Sequence, residues 1–311
     1  MYRILNLSGN QILRKRTNVV RRITKAAEAH QTSIANPTAF WGEAAQDIVW
    51  KSPPTHILNT KEFPHGRWFE GGELNTSYNC IDRHVEAGLG EQTAIIHDSP
   101  VTESIRKLTY NELLEETIRA VSVLRGLGVQ KGDRVVIYMP NIPEAIVAMQ
   151  ACARIGAIHS VVFGGFADVE LATRIKDSKP KVVIASSCGI EGSKTIDYKK
   201  LLDSALNLAS SEHVVQNCLI LQRPQHAVSL IQGRDIDLRQ AMDASAQVHD
   251  PLRAEVTYVK ADDPLYILYT SGTTGKPKGV LRDNGGHAVA LKWAMKNVYN
   301  VNQGDVFWAA R

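Results

Sequence analysis

Apolar residues recur along this chain with two alternating periods. From Thr109 the residues Leu113, Leu114, Ile118, Val121 and Leu124 fall at helical spacing. Thr109 followed three residues later by Glu112 makes a capping box, because the threonine accepts from the third helical amide while the glutamate reaches back. Gly126 and Gly128 close that helix. Arg134 to Met139 then reads as a buried strand. Pro143 opens a helix carrying Ala145, Ile146, Met149 and Ile155, which stops at Gly156. Ile158 to Phe163 is a second short apolar strand, followed by Gly164 and Gly165. A helix over about 169–177 leads to a strand at Val182–Ile184, a helix over about 198–209 leads to a strand at Cys218–Leu221, and Leu265–Thr270 is a further strand. Strands alternating with helices predict right-handed crossovers and a mainly parallel sheet flanked by helices, an α/β fold.

The first hundred residues have a different texture. Asn36-Pro37, Pro53-Pro54 and Pro64 limit helix length there. Trp41, Trp50, Trp68 and Phe69 fall among them, which predicts an irregular layer anchored by aromatic rings on another surface.

At 311 residues, 44% apolar and 22% charged, the chain is long enough for one large domain or two ordinary ones. Its net charge of +4 is unevenly spread. Arg3, Arg14, Lys15, Arg16, Arg21, Arg22 and Lys25 face only Glu28 within the first 35 residues, so the remainder is net negative. The body therefore offers no case for a nucleic-acid-binding face. Residues 1 to about 32, basic and interspersed with apolar side chains, have the composition of a mitochondrial transit peptide, although a basic tail or an amphipathic surface helix has the same composition. No apolar run is long enough to span a bilayer. Cys80, Cys152, Cys188 and Cys218 show no CxxC spacing, so neither a metal site nor a redox pair is expected.

The chemistry concentrates after the last strand. Thr270-Ser271-Gly272-Thr273-Thr274-Gly275-Lys276-Pro277-Lys278-Gly279 combines glycines that let amides turn towards an anion, hydroxyls that donate, and two lysines that carry charge, which together form a phosphate cradle. It is not a Walker A loop, since the position five after Gly272 is Pro277 and no helix start follows. From Tyr269 to Gly279 it resembles the signature loop of the adenylate-forming superfamily, which includes acyl-CoA synthetases, adenylation domains of peptide synthetases and luciferases. Arg67-Trp68-Phe69, Leu74-Asn75, the stretch Tyr78 to His84, the stretch Lys131 to Pro140 and the stretch Ala151 to Phe166 resemble the acetyl- and propionyl-CoA synthetase group in particular. Asp98-Ser99-Pro100-Val101-Thr102, Gly189-Ile190-Glu191 and Arg282, where acetate enzymes usually carry histidine, resemble its mitochondrial propionate-using members.

The resemblance implies the N-terminal part of the large domain of that superfamily. It divides the chain into a leader at 1–32, an acetyl-CoA-synthetase-type region at 36–98 and the first part of an AMP-binding domain at 99–311. It also implies a two-step ligation of propionate to coenzyme A through an acyl-adenylate, with ATP, Mg²⁺ and coenzyme A, in the mitochondrial matrix. Acetate ligation and a short, non-catalytic nucleotide-binding form are the alternatives. Thr270, Ser271, Gly272, Thr273, Thr274, Gly275, Lys276 and Lys278 are expected to bind ATP. Phe163, Gly164 and Gly165 are expected where coenzyme A docks, although the same glycines suit a plain strand-to-helix turn beside a core phenylalanine. Of two coenzyme A arginines in acetate enzymes, one position holds Lys194, a usable point charge, and the other holds Glu191, which repels phosphate. His159 lies in an apolar strand and is expected to be structural, while His287 is given no role. The adenine, ribose and acyl-pocket elements and the catalytic lysine are expected beyond Arg311, so these 311 residues alone are expected to be inactive.

Overall fold

The computed structural model describes residues 26–61, 66–247, 255–270 and 277–308. Most of the expected leader, and Ser271, Gly272, Thr273, Thr274, Gly275 and Lys276 of the cradle, lie outside the described residues.

A helix at 26–35 precedes α1 (Pro37–Ala44), which Asn36 caps by accepting from the Ala39 amide. The antiparallel pair β1 (His56–Asn59) and β2 (Arg67–Glu70) follows, then the short strand β3 (Glu73–Leu74). A hairpin of β4 (Thr93–Ser99) and β5 (Ser104–Thr109) leads into α2 (Tyr110–Gly126). The capping box forms there: the Thr109 amide donates to Glu112 Oε2 at 2.7 Å, and the Glu112 amide donates to Thr109 Oγ1 at 3.2 Å.

From that point strands and helices alternate: β6 (Arg134–Met139), α3 (Pro143–Arg154), β7 (Ile158–Phe163), α4 (Asp168–Ser178) and β8 (Val182–Ser186). A small hairpin of β9 (Cys188–Glu191) and β10 (Lys194–Asp197) intervenes before α5 (Tyr198–Ala209) and β11 (Asn217–Leu221). The remainder comprises β12 (Asp235–Asp237), α6 (Leu238–Ala246), β13 (Val259–Lys260), β14 (Pro264–Thr270), β15 (Lys278–Asp283) and α7 (Gly285–Asn297). The main sheet has the order β12-β11-β8-β6-β7-β14-β15. Every described pairing in it is parallel except β14 with β15, so the expected parallel sheet ends on an antiparallel hairpin.

Alternation along β6 explains the layering. Val135, Ile137 and Met139 pack with α2, α3 and α6 in one core. Val136 and Tyr138 face the other side, with Leu171 and Ile175 of α4 and Leu202 and Ala205 of α5. Apolar side chains stay in solvent at the hairpin end of the sheet. There Val161 of β7, Leu268 of β14 and Leu281 of β15 are 40%, 48% and 56% exposed.

The N-terminal layer docks through rings and two buried polar locks. Trp41 lies 6.0 Å from Trp293 of α7 and 6.3 Å from Trp68, centroid to centroid. The fully buried Asn75 amide donates to the carbonyls of Ala153, Arg154 and Thr257. Arg154 forms a bidentate pair with Asp82 at 2.7 and 2.9 Å.

Candidate functional site

Three parallel strands end side by side. Met139 pairs with Phe163, and the register that sets Tyr266 against His159 carries β14 and β7 to ends at Thr270 and Phe163 on the same sheet edge. The chain leaves β6 for α3 on one face and leaves β7 for α4 on the other. Such divergence at the carboxyl ends of parallel strands opens a crevice. Thr270 and Lys278 face each other as the last pair of the β14–β15 hairpin. The described ends of the cradle, both predicted to bind ATP, therefore converge at the crevice.

The turn Phe163–Phe166 beside it is held from below. The Tyr138 hydroxyl donates to the Phe166 carbonyl at 2.9 Å and to the Gly164 carbonyl at 3.4 Å. The Tyr138 ring lies 4.8 Å from that of Tyr198. Burial raises both phenols, that of Tyr198 to about 12 with the Glu191 carboxylate adding to the effect. A Cβ on Gly164 would collide with the Tyr198 hydroxyl and lie 2.6 Å from its Cε2, and one on Gly189 would meet the same hydroxyl and ring. A Cβ on Gly165 would come within 2.8 Å of the Phe163 ring and 3.0 Å of Glu191 Oε1. Both glycines of the pair therefore have a packing use of their own. Phe163 remains 48% exposed and packs edge-on against Phe166.

Lys194 and Glu191 are opposite each other across the β9–β10 hairpin, and both are exposed. The acid lies against the turn at Gly165, so a phosphate reaching Lys194 from the turn passes a like charge.

Tyr269 carries a link that sequence reasoning passed over. Its hydroxyl donates to Asp177 Oδ2 of α4 at 2.5 Å. Burial, with the Asp177 carboxylate adding to the effect, pushes this phenol well above its ordinary value. One turn earlier on α4 the Arg174 guanidinium lies 4.5 Å from the Phe166 ring centroid and 5.5 Å from that of Tyr269. The only sequence-level signal was the period-four spacing of Glu170 and Arg174, which reads as an ordinary helix-surface pair.

His159 is buried and stacked on Tyr266 at 5.6 Å, and its Nδ1 has no hydrogen-bond partner among the described residues. Burial, reinforced by His287, lowers its pKa to about 4, which keeps the ring neutral. His287 meets Tyr266 edge-on, 5.0 Å between centroids. No helix among the described residues is long and apolar enough to cross a membrane.

Comparison with known proteins adds a family to this geometry. A family model described as AMP-binding enzyme matches residues 82–310, and one described as the acetyl-coenzyme A synthetase N-terminus matches residues 26–80. The chain is 50% identical over 279 residues to the mitochondrial acyl-CoA synthetase short-chain family member 3 of Rattus norvegicus, covering 89% of this chain and 40% of that one. It is 45% identical over 285 residues to an acetyl-coenzyme A synthetase of Rhizobium meliloti, covering 90% and 43% respectively. The chain thus spans less than half the length of these relatives. Acetoacetyl-CoA synthetase from Streptomyces lividans shares the fold, with a TM-score of 0.74 at 24% identity over 86% of this chain and 39% of that one.

Proposed function

The chain belongs to the family of AMP-binding enzymes, and from that premise we propose that it carries the triphosphate- and coenzyme-handling part of a short-chain acyl-CoA synthetase that prefers propionate. In the first step a carboxylate oxygen attacks the α-phosphorus of Mg–ATP and pyrophosphate leaves, giving an acyl-adenylate. In the second, the coenzyme A thiol loses its proton, its sulfur bonds to the acyl carbon, and AMP departs.

The observation that supports this most is the convergence at one sheet edge of the Thr270–Lys278 hairpin end and the Phe163–Phe166 turn. Charge accumulates on the bridging and non-bridging phosphate oxygens as pyrophosphate leaves. Fixed donors and cations at that point lower the barrier because they need no reorganisation. We assign Thr270, Ser271, Thr273 and Thr274 as donors, Gly272 and Gly275 as close-approach positions, and Lys276 and Lys278 as the cations that follow the leaving group. Phe163 offers an exposed ring for the adenine of coenzyme A, with Gly164 and Gly165 shaping the turn and Lys194 supplying a point charge.

Propionate rests on Asp98–Thr102, Gly189–Glu191 and Arg282. Acetate is the second reading, supported by 45% identity to an acetyl-coenzyme A synthetase. The product of the complete reading frame separates the two. Its kcat/KM for propionate is expected to exceed that for acetate, and a clear preference for acetate would overturn the assignment. We further propose that residues 1 to about 32, basic and interspersed with apolar side chains, direct import into mitochondria.

A further inference from the structure

We propose that Arg174 is a positioning residue that couples the Phe163–Phe166 turn to the end of β14, so that a ligand on one segment is felt at the other. The proposal rests on the nucleotide and coenzyme A reading above. Arg174 is 5% exposed, yet its ion-pair partner Glu170 is an acid whose side chain is 48% exposed. One guanidinium nitrogen donates to the Glu170 carbonyl at 2.6 Å and to Glu170 Oε2 at 2.8 Å. The cation lies within reach of two rings, 4.5 Å from one centroid and 5.5 Å from the other. That of Phe166 ends the coenzyme-side turn, and that of Tyr269 immediately precedes Thr270. Asp177, a further turn along α4, fixes the Tyr269 hydroxyl. Glu170, Arg174 and Asp177 thus form one stripe of α4 that grips both segments.

A planar, weakly hydrated guanidinium suits this position, because it can stack on rings while keeping its hydrogen bonds at the edge. If the two segments were merely packed on a common core, any apolar side chain of equal length would serve. A cation in contact with both rings instead couples them: displacing either ring shifts the cation and changes the contact felt by the other. By linkage, ATP at the hairpin end should tighten the coenzyme-side turn, and coenzyme A should tighten the hairpin end to the same degree.

Hydrogen exchange on the product of the complete reading frame reads this directly. Mg–ATP alone is expected to slow exchange in 264–270 and also in 163–168, and coenzyme A alone is expected to do the same from the other side. In Arg174→Met, of similar length and leaving only an exposed glutamate behind, each ligand should still protect its own segment. Protection of the distant segment should fall by about fivefold or more, the lower end of typical coupling. Arg174→Lys, which keeps the charge but not the planar stack, should lose it too and serves if the methionine variant does not fold. Glu170→Gln loosens α4 while keeping the stack, and should retain the coupling. Distant protection unchanged in both arginine variants, absent from wild type, or lost equally in Glu170→Gln, would overturn the inference. Failure of Mg–ATP to protect 264–270 in wild type would instead remove the nucleotide reading on which it rests.

Discussion

Gly164 and Tyr198 define a contact at the scale of single residues. The Tyr198 ring is buried and packed at a tilt against Tyr138, so it cannot retreat from a methyl group placed on Gly164. Gly164→Ala is therefore expected to cost about 1–3 kcal/mol by overpacking. At Gly126 nothing lies within 4 Å of an added Cβ. Gly126→Ala, near the end of α2, should leave stability unchanged or raise it by up to about 1 kcal/mol. Chemical denaturation of the two variants checks the contrast. The glycine pair was visible in the sequence as a turn, but its partner was not, because Tyr198 arrives from a different helix. His159 gives a pH-dependent counterpart. Its pKa lies near 4 in the native fold against an ordinary 6.5. Between those values the unfolded chain takes up a proton that the native ring refuses, so acidification favours unfolding; below about pH 4 both states are protonated and the loss stops. The contribution is about 3 kcal/mol at most. His159→Phe should make the stability curve shallower between pH 6.5 and 4, and curves that stay parallel would show that the histidine is not buried as described.

Elements differ in how far the sequence determines them. The helices α2, α3, α4 and α5 and the strands β6, β7, β8 and β11 follow from apolar period and caps, and each lies within two residues of its expected span. The β4–β5 and β9–β10 hairpins were not foreseen. The strands β5 and β10 are largely solvent-facing, with residues such as Arg106, Lys107, Lys194 and Thr195, so no apolar alternation marks them. The strand β15 was not foreseen either, because Lys278–Asp283 begins inside the cradle and is almost wholly exposed, so no apolar pattern marks it. The docking of the N-terminal layer depends on pairs remote in sequence, the firmest being Asp82 with Arg154. Both are buried, so Asp82→Ala leaves a cation without its bidentate partner and is expected to cost about 3–5 kcal/mol. A loss below about 1 kcal/mol in thermal or chemical unfolding would show that the layer is held by its aromatic rings instead.

Across the whole molecule, the sheet brings its most chemically suggestive segments to one edge and leaves the same end of the sheet with apolar side chains in solvent, Val161, Leu268 and Leu281 among them. The α/β class was legible in the sequence, but the convergence of the strand ends at Phe163 and Thr270 was not, because it depends on the order of strands in the sheet. The link from Tyr269 through α4 to Phe166 was not, because it is made by side chains that only the crossover after β7 brings together. The central claim is that residues 270–278 hold the triphosphate while a carboxylate attacks. The most direct test is propionate-dependent exchange of labelled pyrophosphate into ATP by the product of the complete reading frame, compared with its Lys276→Ala and Thr273→Ala variants. Wild type should exchange only when the acid is present, and each variant should be slower by about 100-fold or more, as expected for removal of a preorganised charge or donor. Normal exchange in both variants would contradict the account.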